Sequence, residues 1–201
     1  EYICNFIMST LETNLIQPST GTSLTLGASG DTITIPSGAT IANSGTATGF
    51  GGDNTPYFHA YRSANTNISD ATWTVVVFDA EKQDSAGAFN TSTGIFTVPS
   101  GQGGKYYLEH GVRIEASTSQ VDRLYTYGES GGGSTQYWGN GALDFRGNAG
   151  QGGTVYGSGI ITLAAADTAK VNIYADVNAG TPTLMGNAYL TTWFLGYKII
   201  E

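Results

Sequence analysis

At 201 residues the chain can form one or two domains with a sizeable core. Charged residues are only 12%, and 29 Gly, 12 Tyr and 8 Phe stand against 5 Pro, so the composition is that of many short strands joined by tight turns and excludes a helical bundle or a disordered tail. The net charge of -8 excludes the basic stripe that a nucleic-acid binder needs to displace counterions, and no apolar run is long enough to span a bilayer.

A soluble all-β protein is therefore expected, with no nucleic-acid partner and no membrane insertion. No Lys or Arg precedes Arg62, so no positively charged secretory start is visible. Cys4 stands alone and His59 and His110 are the only histidines, which leaves neither an intrachain disulfide nor a structural zinc site. Stability must come from packing or from assembly.

In chain order, residues 1–7 (with Cys4 and Phe6) have no assigned role; an upstream extension and an anchoring strand both stay open. Residues 8–50 are expected to form a stem or attachment segment. Within residues 21–50 there is one acid, Asp31, and no base, while short alternating pieces at 23–26 and 32–35 are separated by Gly, Ser and Pro turns. Each piece has one narrow apolar row. A lone two-strand unit is marginal in water, so Leu24, Leu26, Ile33, Ile35 and Ile41 need a following domain or the same rows of sister chains to become a core. A flexible polar linker is the bland alternative; the regular apolar spacing favours the stem.

Residues 51–201 are expected to form the head. The run at 73–78 is apolar on both alternating faces, as is the last run, 189–200. A sandwich strand needs only one apolar face, so Trp73, Val75, Val77, Trp193, Leu195 and Tyr197 are the expected subunit interface. Residues 106–115 alternate cleanly, with Tyr106, Leu108, His110, Val112 and Ile114 on one side, as in a half-buried antiparallel strand. Further strands are expected at 95–98, 121–127, 159–163 and 170–177. Residues 164–167 are too short for a helix and predict a turn.

The run VVFDAEKQDSAGAFNTSTGIFTVPSGQGGKYYLEHGVRI, residues 76–114, resembles the opening half of a complement C1q-like domain. The matching pieces are Phe78-Asp79, the strand from Thr93 to Pro99, and Gly104-Lys105-Tyr106-Tyr107. Arg123 to Glu129 is similar to the strand that ends in an Asn-Gly-Glu turn, with Tyr127 in place of Asn. Residues 159–174 resemble the paired late strands, with Ala166-Asp167 for Gly-Asp, and Trp193 to Tyr197 resembles the closing Phe-Ser-Gly-Phe strand, with Leu195 for Ser. The resemblance spans residues 55–201 and implies a jelly roll assembled as a compact homotrimer around the last strand.

A second resemblance lies before it. Met8-Ser9-Thr10-Leu11 with Asn14, Ile16, Gln17 and Pro18, followed by GTSLTLGASGDTITIPSGATIANSGTATGFGG, is similar to the start of tail-fibre-like proteins of marine bacteriophages. It implies a natural start at Met8, a place on the virion, and contact with other virion proteins through the N-terminal segment.

Little in the chain suggests chemistry. Gly128-Glu129-Ser130-Gly131-Gly132 matches G-x-S-x-G and differs by one residue from the Gly-Asp-Ser-Gly-Gly of trypsin-like proteases. A nucleophile elbow needs strand, strained turn and helix, whereas Gly133 and Ser134 continue a loop, so a flexible turn is expected at Ser130. His110 lies on an apolar strand face and is expected to be a satisfied buried or interface histidine; His59 has no carboxylate neighbour in sequence. Asp79, Glu81 and Asp84 lack the glycine and ligand spacing of an EF-hand loop, so a solvated turn outweighs calcium. No metal and no cofactor are expected. Asn67 and Asn90 head glycosylation sequons that a phage protein would leave bare.

The stretch 125–156 sets Tyr125, Tyr127, Tyr137, Trp138 and Phe145 among Gly, Ser, Asn and Gln. Rings on polar loops suit recognition of a host-surface glycan or protein, offering a face to stack on beside amides that hydrogen-bond. Local packing, with Trp138 and Phe145 pinning a long loop, is the competing reading. The expected protein is a non-enzymatic, homotrimeric phage fibre with a host-recognising head; a decoration or collar fibre whose head only trimerises and caps the shaft is the alternative.

Overall fold

The computed structural model describes residues 15–42, 44, 54–116, 120–132, 134–148 and 150–200; the unassigned segment 1–7, the start of the stem and its last residues lie outside them. The chain divides into two compact units, Glu1–Thr48 and Gly49–Glu201.

In the second unit the strands are β1 (Tyr57–Tyr61), β2 (Thr66–Asn67), β3 (Thr74–Val75), β4 (Ala80–Asp84), β5 (Phe89–Asn90), β6 (Ile95–Thr97) and β7 (Gly104–Glu115). They continue with β8 (Val121–Gly131), β9 (Gln136–Asp144), β10 (Gly152–Leu163), β11 (Thr168–Val177), β12 (Thr183–Leu184) and β13 (Trp193–Lys198). No helix occurs among the described residues. All pairings are antiparallel. The first sheet runs β2-β12-β7-β13-β1-β4, with β10 along the other edge of β7; the second runs β5-β6-β11-β8-β9, with β3 also on β11. This two-sheet arrangement is a jelly-roll sandwich.

Alternation decides which side chains meet between the sheets. On β7, Tyr106, Leu108, His110, Val112 and Ile114 are fully buried as the spacing predicts, and on β11 Ala169, Val171, Ile173 and Ala175 answer them. At one end of the core Phe58 of β1 stacks on Phe89 and Phe96 of the second sheet at 5.2 and 4.6 Å. Phe194 of β13 bridges the layers, meeting Phe58 edge-on at 4.8 Å and Trp138 of β9 at 5.8 Å. Each such aromatic pair contributes about 0.5–1.5 kcal/mol beyond the area it buries.

Two glycine approaches shape the side of the sandwich nearest β9. A Cβ on Gly128 would stand 1.9 Å from Cε2 of Trp138, so only glycine lets the indole lie flat across β8. A Cβ on Gly157 would stand 1.8 Å from the carbonyl of Gly139, so β9 and β10, the edges of the two sheets, meet backbone to backbone.

Several sequence expectations change here. Residues 125–156 are not a long loop: β8, β9 and β10 occupy most of them, and their many glycines serve close approach rather than mobility. Of the run 73–78 only Thr74–Val75 is strand, and of 189–200 only Trp193–Lys198. Ser130 sits in β8, opposite Ala169 and Gln136, and not on a turn. The turn at 164–167 does form: Asp167 N–H donates to the carbonyl of Ala164, and Ala164 N–H to the Asp167 carboxylate.

In the first unit residues 15–42 carry local turns and no strand. Asp31 N–H donates to the Ala28 carbonyl at 3.0 Å, and Ala28 N–H to Asp31 Oδ2 at 2.7 Å. Leu24, Leu26, Ile33, Ile35 and Ile41 are all exposed; narrow rows of this kind need a pairing edge and a cover to become a core.

Candidate functional site

Both outer faces of the head are aromatic, but they are built differently. On the first sheet the strand registers set side chains in rows across the face. Tyr57, Tyr197, Tyr107 and Ile160 form one row; His59, Leu195, Glu109 and Ser158 the next; Tyr61, Trp193, Gly111 and Tyr156 the third. The Tyr107 and Tyr197 rings lie 5.4 Å apart, and the rings of Trp193 and Tyr156 lean over Gly111, each within 2.9 Å of where a Cβ would stand. Tyr156 and Ile160 are about three-fifths exposed, at 62% and 61%. Burial first, then Lys82, lowers the pKa of His59, so its ring is neutral at physiological pH and adds no positive charge to the row it shares with Glu109. A contiguous face of this kind marks an interaction surface rather than scattered apolar side chains.

The second face lies on the opposite sheet. Trp73, just before β3, packs on Tyr127 of β8 at 4.7 Å and Tyr174 of β11 at 5.5 Å. Tyr125 stacks on Tyr174 at 5.9 Å, and Tyr137 of β9 meets Tyr127 edge-on at 5.4 Å. Ion pairs flank these rings on both sides: Arg123 is bound to Asp176, and Lys170 to Glu129 at 3.1 Å, with Asn172 Nδ2 donating to Glu129 at 3.2 Å. A hydrogen-bonded Asp176 raises the pKa of the Arg123 guanidinium. Burial, then Glu129 and Tyr137, pushes up the Tyr127 phenol, which keeps its proton as a donor. A trough of about 300 Å³ opens between Trp73, Tyr125, Tyr127 and the Asn140-Gly141-Ala142 stretch of β9.

The structure thus regroups the residues singled out in sequence. Tyr125, Tyr127 and Tyr137 come together on one face as recognition would require. Trp138 does not join them: it is 5% exposed, faces the core from β9, and packs on His110 and Phe194. Phe145 follows β9 and packs against the core edge beside Gly150 and Gly153. Their ring faces serve packing because β9 places them inward or at its end. The expected interface residues also divide. Trp193, Leu195 and Tyr197 share the first outer face, whereas Trp73 and Val75 sit beside β11 on the second sheet; Val77 follows β3, its carbonyl accepting from Arg62 at 3.3 Å. Tyr174 was missed in sequence. Its signal was the alternation of 170–177, which puts it on the side opposite Val171 and Ile173.

The remaining candidates are structural. His110 is fully buried; its Nε2 shares a hydrogen bond with Thr126 Oγ1 at 3.0 Å, and burial holds its pKa down to about 4. Asp79 accepts from Ser63 N–H at 2.7 Å and pairs with Arg62 at 3.4 Å, contacts that outweigh its burial and lower its pKa. Asp84 accepts from the N–H groups of Ala86 and Phe89, while burial and Asp84 raise the pKa of Glu81. Asp84 thus fastens a local turn and Asp79 ties the stretch after β1 to the start of β4, and no metal-holding group of three or more His, Cys, Asp or Glu occurs among the described residues.

Solved structures share this architecture. The globular domain of zebrafish complement 1qA protein superposes with a TM-score of 0.53 at 19% identity, over 72% of this chain and 96% of that one. The head has a C1q/TNF-like fold. Murine APRIL superposes at 0.52 and 17% identity, over 71% of this chain and 98% of its own, and Eiger TNF from S. frugiperda at 0.50 and 11%, over 71% and 91%. No family model and no curated protein matches the sequence. At these identities the C1q/TNF-like likeness concerns the fold alone.

Proposed function

We propose that the chain is a non-enzymatic, homotrimeric fibre protein of a phage particle whose C1q/TNF-like head attaches to a host surface. One observation carries this reading: the sandwich bears two aromatic faces on opposite sheets. The first is broad and uncharged over most of its rows, as a surface covered by sister chains should be; the second is smaller and framed by paired charges, as a surface turned outward should be. The likeness of residues 8–52 to marine phage fibres supports a place on the virion, with the stem as the link to other virion proteins. In the stem, Leu24, Leu26, Ile33, Ile35 and Ile41 become a core when three copies run side by side.

Mass measurement in solution should give about three times the chain mass. A Leu195→Glu chain, which sets a second carboxylate beside Glu109 at the centre of the first face, should run as a folded monomer. Labelled full-length protein should bind at least one member of a panel of marine bacteria. A wild-type monomer at micromolar concentration would refute the assembly, and binding to none of the panel would leave the capping role.

A further inference from the structure

We propose that the trough between Trp73, Tyr125, Tyr127 and the Asn140-Gly141-Ala142 stretch binds a neutral saccharide. This rests on the reading of the head as an attachment module and names the ligand class of its outward face. A sugar ring has C–H faces that stack on aromatic rings and a hydroxyl rim that needs donors and acceptors. Trp73, 45% exposed, and the two tyrosines provide the rings, and their phenols and the exposed Asn140 amide provide the polar atoms. Such a mixture, mostly apolar with a few placed polar groups, is the composition of small-molecule sites.

Charge and size narrow the class. The cations and anions beside the rings are committed to one another, Arg123 to Asp176 and Lys170 to Glu129, so the face has no spare charge for a phosphate or an acidic sugar. The trough of about 300 Å³ is at the small end for ligand sites of roughly 300–1,000 Å³, which suits one or two sugar rings and not a helix or a strand. Rigidity adds to this. Tyr125 and Tyr127 are held on β8 between β11 and β9, so little order is lost when a ligand stacks. The first sheet's outer face also has a hollow, of about 460 Å³ between Tyr57, His59, Leu195 and Tyr197 with the Asn54 and Gln83 amides at its rim, but it lies on the rows that the proposed assembly covers.

The test is electrophoresis of the full-length protein through gels containing dextran, mannan or galactan, with heparin as the charged comparison. At least one neutral polymer should retard the wild-type protein. Trp73→Ala and Tyr127→Ala should each weaken that retardation about tenfold or more, with oligomeric mass unchanged and a cooperative thermal transition retained at a lower midpoint, and Trp73→Phe should restore most of it. Retardation by none of the three polymers, by heparin above all, or undiminished in Trp73→Ala would overturn the proposal. Cell attachment is scored separately. If the gels fail while the wild type still attaches, the saccharide site is wrong and the attachment reading stands. If the wild type attaches to no cell, that reading fails, and the gels still decide the site.

Discussion

Residues 23–26 and 32–35 alternate apolar and polar side chains as β7 does, yet they end in the opposite state. Leu108 and Ile114 are fully buried, whereas Leu24 and Ile33 are 46% and 59% exposed. The cause lies in their neighbours. β7 is hydrogen-bonded to β10 along one edge and to β13 and β12 along the other, and its inner side chains are covered by the second sheet. Residues 15–42 carry local turns, such as Ala39 N–H to the Pro36 carbonyl, and no strand. Alternation therefore marks a segment able to become a strand; an available edge and a cover make it one.

The largest expected effect tests the covered side of this contrast. Trp138→Ala should cost the head about 3–5 kcal/mol in urea unfolding, because it empties the space between His110, Phe194 and the Gly128 backbone. Unchanged stability with lost cell binding would return Trp138 to the recognition face.

Acid tests the same layer. Phe194 and Gly157 flank His110 in its sheet, with Thr126 and Trp138 across from it, so no charged group among them compensates an imidazolium. The neutral ring fits the fold, while the unfolded ring takes a proton near pH 6.5. Stability from this residue is thus full above about pH 6.5 and declines as pH falls towards 4, by about 3 kcal/mol in all. His59 is shifted in the same direction, so the difference between wild type and His110→Gln isolates His110. Parallel pH profiles for the two proteins would contradict the buried placement.

Ile33→Asp probes the uncovered side. It should leave head stability within about 0.5 kcal/mol while abolishing amide protection across residues 20–50 of the proposed trimer, where three carboxylates would meet at one level. Strong protection in a peptide of residues 8–50 alone, or none in the wild-type trimer, would refute a stem made by association.

The smallest effect is expected at the surface. Arg146 hydrogen-bonds Asp144 and holds its carboxyl down to about 2, but the pair is open to solvent. Asp144→Asn should leave the thermal midpoint where it is. A clear drop would show that this strand end is covered in the assembly.

Composition and period-two spacing by themselves determined the all-β class, the inward row of β7 from Tyr106 to Ile114, and the turn at 164–167, because these depend on residue type and on contacts close in sequence. The likeness of the head to a C1q domain was equally legible, from pieces in order along residues 76–197. Only the tertiary structure decided what became of the rings between 125 and 156. Alternation groups Tyr125 with Tyr127 and sets Trp138 apart from Tyr137, but it does not say which side of a strand faces the other sheet. That choice was made by Phe194 and His110 on β13 and β7, far away in sequence, which offer Trp138 a partner. It was made equally by Gly128, whose missing side chain leaves room for the indole on the inner face. Trp73 reached Tyr127 and Tyr174 in the same way, through the pairing of β3 with β11 across about a hundred residues of intervening chain, a distance at which no local pattern has any hold.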